Sequence, residues 1–132
     1  MLNKIKFKKI LSITIFCLFM GCNTSKNSMP NVVSTIGMIH NIVEEIGGNK
    51  INAIGLMGPG IDPHLYRASA GDIKKLNDAD LILYNGLHLE AKMIDIFQKL
   101  NHKKPAIAVT RSIPKNKLIS PENYDGFPDP HV

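Results

Sequence analysis

One tripeptide occurs twice, as Asp62-Pro63-His64 and as Asp129-Pro130-His131, and the two copies hold two of the five histidines in 132 residues. Imidazole nitrogens bind transition metals. Proline locks its own φ, and it keeps the residue before it extended. Each histidine therefore departs from a defined point on the backbone, which suits a site that needs geometric precision. A metal-bound histidine usually gives its second ring nitrogen to a carboxylate or a carbonyl. Asp62 and Asp129 are placed for that role, or for capping a following helix, and the tripeptides leave both open. One Asp-Pro-His alone reads as a turn with a solvated histidine. Two copies set a shared metal site on a level with that plainer reading.

The elements that must carry these histidines follow from hydrophobic spacing. Residues 31–36, 51–57, 80–84 and 105–109 read as short strands. Between the first two, Ile36, Ile39, Val43 and Ile46 recur at helical spacing, with Ser34 or Thr35 as candidate caps and Gly47-Gly48 as the stop. His40 on this helix reads as a packing histidine. Ser69-Ala70-Gly71-Asp72 has the form of a capping box ahead of Ile73 and Leu76. The continuous apolar run in 80–84 suggests a strand buried on both faces. Leu89, Met93, Ile96, Phe97 and Leu100 then mark a helix, and His88 just before it reads as structural or surface. Strands alternating with helices imply an α/β fold with right-handed crossovers. The expected architecture is a four-stranded, mainly parallel sheet flanked by helices. His64 follows the second strand and His131 the fourth, so both should emerge at the carboxyl edge, where open parallel sheets bind ligands. Residues 110–129 between them show little periodicity, and a connection of that length is often functional.

Charge and cysteines exclude several classes. The net charge of +5 comes largely from Lys4, Lys6, Lys8 and Lys9; without residues 1–21, 12 basic side chains face 11 acidic ones. No basic surface is left for a nucleic acid. Cys17 and Cys22 are the only cysteines, so residues 31–132 hold neither a disulfide nor a cysteine zinc site. Residues 1–21 combine a cationic start with an apolar run from 10 to 19, the pattern of an export signal. Phe19-Met20-Gly21-Cys22 resembles a bacterial lipobox, departing from it at Phe19, where Leu is usual. On that reading Cys22 is lipid-modified and residues 22–30 form a polar tether, which places the protein on the outer face of a membrane. A plain signal peptide or an uncleaved anchor are the other readings.

Several stretches together resemble a family. They are Val33-Ser34-Thr35-Ile36 through Ile46-Gly47-Gly48, Gly58-Pro59-Gly60-Ile61-Asp62-Pro63-His64-Leu65-Tyr66, Asp78 to Glu90, and Asp129-Pro130-His131-Val132. They are similar to the cluster A-I solute-binding lipoproteins of bacterial ABC transporters for manganese and zinc. The resemblance covers residues 31–132 and implies two α/β lobes joined by a long helix, with the metal held between them. It places the N-terminal lobe's two ligands at His64 and His131. The linking helix and the C-terminal lobe, with its His or Glu and its Asp, have no counterpart in these residues, so this reading is of an incomplete receptor.

The resemblance further implies Mn2+ or Zn2+ as the transported ligand, an ABC permease as partner, a monomer, and no catalytic residue. Zinc-uptake members often carry a His- and acid-rich loop before the second histidine. Residues 110–129 contain no such run, which tilts the expectation toward manganese. Two rivals stand beside this reading. One is a secreted metallo-hydrolase, which would want a third ligand and a general base, and no H-E-x-x-H pattern occurs. The other is a surface lipoprotein or adhesin, or a remnant without competent metal binding.

Overall fold

The computed structural model describes residues 28–121 and 127–131. The stretch 1–21 read as an export signal, Cys22 and the expected tether as far as residue 27 lie outside the described residues, as does Val132. Strands β1 (Asn31–Ser34), β2 (Asn52–Gly55), β3 (Leu81–Tyr84) and β4 (Ala106–Ala108) form one sheet in the order β2-β1-β3-β4. Every neighbouring pair is parallel. Helices α1 (Gly37–Gly47), α2 (Ala70–Asp78) and α3 (Ile94–Asn101) make the crossovers. This is the flanked four-stranded α/β sheet expected from the pattern, with each strand a residue or more shorter.

The strand order assigns the helices to faces. The step from β1 to β2 runs opposite to the steps from β2 to β3 and from β3 to β4. Right-handed crossovers therefore put α1 on one face and α2 and α3 on the other. On the α2/α3 face Val33 and Ile82 stand in register and are fully buried. Tyr84 follows on the same side of β3, and its ring stacks on Phe97 of α3 with centroids 4.4 Å apart. Burying Phe97 there is worth about 2 kcal/mol.

The α1 face is different. Ile39 and Val43 bury against β1 and β2, but Ile46 is 83% exposed rather than part of the core stripe. It lines an open apolar groove with Ile42, Val32, Leu81, Leu83 and Val109. Among the described residues no helix covers the β3–β4 half of this face. Leu81 and Leu83 are accordingly half-buried, so β3 is enclosed on one face and only partly on the other.

Local starts and stops mix agreement with correction. Gly48, at φ 49°, closes α1 as its sequence suggests. The Ser69 capping box forms: Ser69 Oγ accepts from Asp72 N at 3.2 Å, and Ser69 N donates to Asp72 Oδ2 at 3.0 Å. At the start of α1 the cap position is Ile36, with no side-chain hydrogen bond. Ser34 and Thr35 are fully buried instead, and their hydroxyls donate inward, to Ile54 O and to Glu90 Oε1. The helix expected from Leu89 starts only at Ile94, after a 3-10 turn at Ala91–Met93. Leu87 and His88 take left-handed φ values of 50° and 66°. That kink reverses the chain before a helix can begin. Leu89, Met93, Phe97 and Leu100 nonetheless reach the core.

Candidate metal centre

Strands β2 and β4 lie at opposite flanks of the sheet, three intervals or about 14 Å apart. Emergence at the same edge is therefore not enough to bring His64 and His131 together. The long connection after β4 closes the gap. Thr110 donates through N and Oγ1 to Asn85 O, at 3.3 and 2.7 Å, tying the start of the connection to the end of β3. Short 3-10 turns at Val109–Ser112 and Lys115–Lys117 follow. At the far end Asp129 N donates to Ile119 O at 2.7 Å, and Asn85 Nδ2 donates to Pro130 O at 2.9 Å.

The chain thus returns to the point between β1 and β3 where the strand order reverses. This is the crevice in which open parallel sheets bind ligands. The imidazoles of His64 and His131 meet there, with ring centroids 5.5 Å apart and planes at 59°. A zinc ion about 2.1 Å from two ring nitrogens sits about 3.2 Å from each centroid, and a tetrahedral angle then separates the centroids by about 5.2 Å. The observed spacing fits one ion shared by both rings. Both histidines are exposed, and His131 lines a cleft of about 670 Å³ whose walls include Gly55, Met57, Gly60 and Pro63, the residue before His64.

Neither aspartate caps a helix. Asp62 Oδ1 accepts from His64 N and Asp129 Oδ1 from His131 N, both at 2.9 Å, so each tripeptide closes the same side-chain turn. The copies then diverge. Asp129 Oδ1 also lies 2.8 Å from His131 Nδ1. With Nδ1 donating there, Nε2 is the ring's free acceptor, the tautomer a metal requires. The backbone and ring hydrogen bonds from His131 hold the Asp129 carboxyl below the usual carboxylate value.

The loop carrying His64 is fastened behind the histidine. Tyr66 donates its hydroxyl to Asp72 Oδ2 at 2.7 Å, linking the loop to the capping box of α2. Burial and this bond push the Tyr66 phenol up to about 12. Burial pushes the Asp72 carboxyl up, but hydrogen bonds from Ser69, Tyr66 and Lys75 outweigh it and hold the group at about 2.

The other two histidines singled out from the sequence sit outside the pair. His40 is half-buried against Gly55 and lies 3.5 Å from Glu44 through Nε2, while its buried Nδ1 meets no hydrogen-bond partner among the described residues. His88 is exposed, its ring edge-on to Phe127 at 5.4 Å. Among the described residues no group of three or more His, Cys, Asp or Glu gathers to hold an ion. Two imidazoles therefore leave half of a typical four-ligand shell to other donors.

Sequence reasoning missed the residues behind the site. Glu90 is 1% exposed, and its carboxylate accepts from Thr35 Oγ1 at 2.6 Å, Asn85 N at 2.7 Å and Gly86 N at 3.1 Å. The available signal was an acidic residue set directly beside the core position Leu89.

Known proteins share this fold. The chain is 45% identical over 130 residues to the manganese-binding lipoprotein MntA of Bacillus subtilis, covering 93% of this chain and 42% of that protein. It is 48% identical over 110 residues to the zinc-binding protein TroA of Treponema pallidum, covering 83% of this chain and 35% of that one. The solved structure of the periplasmic zinc-binding protein TroA superposes with a TM-score of 0.75 at 50% identity, over 80% of this chain and 37% of that chain. The chain thus spans about two fifths of the length of the curated relatives it matches. The family described as zinc-uptake complex component A, periplasmic, matches residues 32–132, and the chain belongs to that family.

Proposed function

We propose that residues 31–132 are the N-terminal lobe of a receptor that binds Mn2+ or Zn2+ outside the membrane and delivers it to an ABC permease. The observation that carries this reading is the His64–His131 pair, with centroids 5.5 Å apart and Asp129 on one ring nitrogen. His64 and His131 bind the ion through neutral imidazole. Asp129 orients His131, and Asp62 shapes the turn that presents His64. No bond of a substrate is made or broken, so the receptor needs no catalytic group. The remaining ligands come from a second lobe, joined by a helix for which the open apolar groove beside α1 is a suitable seat. The receptor acts as a monomer, exported and attached through a lipidated Cys22.

With two imidazoles from one lobe, the chain holds metal weakly, and zinc more tightly than manganese, following the affinity order for nitrogen donors. Selection for manganese then rests with oxygen donors from the second lobe. Titrating the purified chain with Zn2+ alone and Mn2+ alone tests the assignment. Either His64→Ala or His131→Ala should weaken Zn2+ binding at least about tenfold, since losing one of two ligands is no smaller a loss than losing an outer partner. Equal Zn2+ uptake by wild type and the double variant would refute it.

A further inference from the structure

The segment bearing His131 has no regular structure among its described residues, 127–131, yet its histidine meets His64. Besides the bond from Asp129 N to Ile119 O, what holds it is the loop at 85–90, which touches it twice. Asn85, buried at the carboxyl end of β3, donates from Nδ2 to the carbonyl of Pro130, the atom group directly before His131 N. Three residues on, the ring of His88 lies edge-on to Phe127. The loop is itself over-determined. Glu90 folds back to accept from Asn85 N and Gly86 N, and Thr35 closes on Glu90 from β1. Gly86, Leu87 and His88 all take positive φ, at 89°, 50° and 66°. For Leu87 and His88 that is a conformation side-chain-bearing residues rarely adopt, and such strain persists only where surrounding contacts enforce it.

We propose that Asn85 is a positioning residue for metal binding, and that the 85–90 loop is a clamp setting His131 against His64. Asn85 fixes the carbonyl before His131, while His88 steadies the segment four residues upstream through Phe127. The inference rests on His131 being a ligand. Asn85 touches no metal and acts only through that histidine.

The test is a cycle of variants in the full chain, held in detergent and titrated with Zn2+ alone. Asn85→Asp keeps the size of the side chain but replaces the donor with an oxygen facing an oxygen. It should weaken Zn2+ binding about tenfold, as losing an outer partner of a ligand does, and should have no effect once His131→Ala is present. Phe127→Ala removes the second contact at a residue that is 56% exposed, so folding is spared, and it should weaken binding about threefold. A loss from Asn85→Asp that persists in the His131→Ala background overturns the proposal, because the residue then acts on the whole lobe. So does wild-type affinity in Asn85→Asp, or, if that variant does not fold, in Phe127→Ala. If His131→Ala itself binds Zn2+ like wild type, the ligand assignment fails, and the positioning proposal falls with it.

Discussion

Replacing Glu90 by alanine should destabilise the lobe more than any single change at its exposed histidines. The side chain is enclosed, and its two oxygens accept from Thr35 Oγ1, Asn85 N and Gly86 N. A buried donor left without an acceptor costs about 1–3 kcal/mol. The Thr35 hydroxyl can rotate toward another acceptor, and water can enter the space left behind, so the low end applies to each. Three donors at about 1 kcal/mol each give a loss of about 3 kcal/mol. Against the 5–15 kcal/mol typical of a domain, that lowers the folded-to-unfolded ratio by more than about a hundredfold. Glu90→Gln, which keeps the shape and one acceptor oxygen, should lose about half as much. Urea unfolding followed by far-UV circular dichroism measures both. A Glu90→Ala midpoint and slope within about 0.5 kcal/mol of wild type, the spread of an ordinary surface change, would show that the three hydrogen bonds do not hold the loop.

Two further outcomes follow from particular groups. Asp72 has a folded value of about 2 against an ordinary 3.8. A lowered carboxyl contributes stability that is fully present above pH 3.8 and lost as pH falls through about 2. The contribution is about 2 kcal/mol, so Asp72→Asn should flatten the acid limb of a stability profile between pH 5 and about 2, and an unchanged limb counts against it. Gly86 sits at φ 89°, where an added Cβ would lie 2.8 Å from both Ala108 Cβ and Thr110 Oγ1. Gly86→Ala should therefore cost about 3 kcal/mol by thermal unfolding, from strain and overpacking together. Gly58→Ala, with open space around it, should stay within about 0.5 kcal/mol, and equal effects in the two would refute the steric account.

The alternation of apolar runs determined the sheet, because a parallel strand flanked by helices has few other places to go. The four strands, the stop of α1 at Gly48 and the Ser69–Asp72 box were legible for that reason, since each rests on neighbours within a few residues. The same local reasoning failed where a distant contact competed. Thr35 looked like a cap and instead serves Glu90, 55 residues away. Leu89 fitted a helical stripe, but the reversal at Leu87 and His88 delayed the helix to Ile94. Ile46 matched the stripe of α1, but among the described residues no helix covers the sheet face beside it.

The repeated Asp-Pro-His is divided in the same way. Its residues favour by themselves the same side-chain turn in both copies, because an aspartate ahead of a proline outside a strand or helix holds a carboxylate oxygen within reach of the amide two positions on. Only the tertiary structure decides that the two histidines meet, because the strands preceding them lie at opposite flanks of the sheet. Their approach depends on a long return path tied at Ile119, at Phe127 and through the amide of Asn85, the last bonded across 45 positions of sequence.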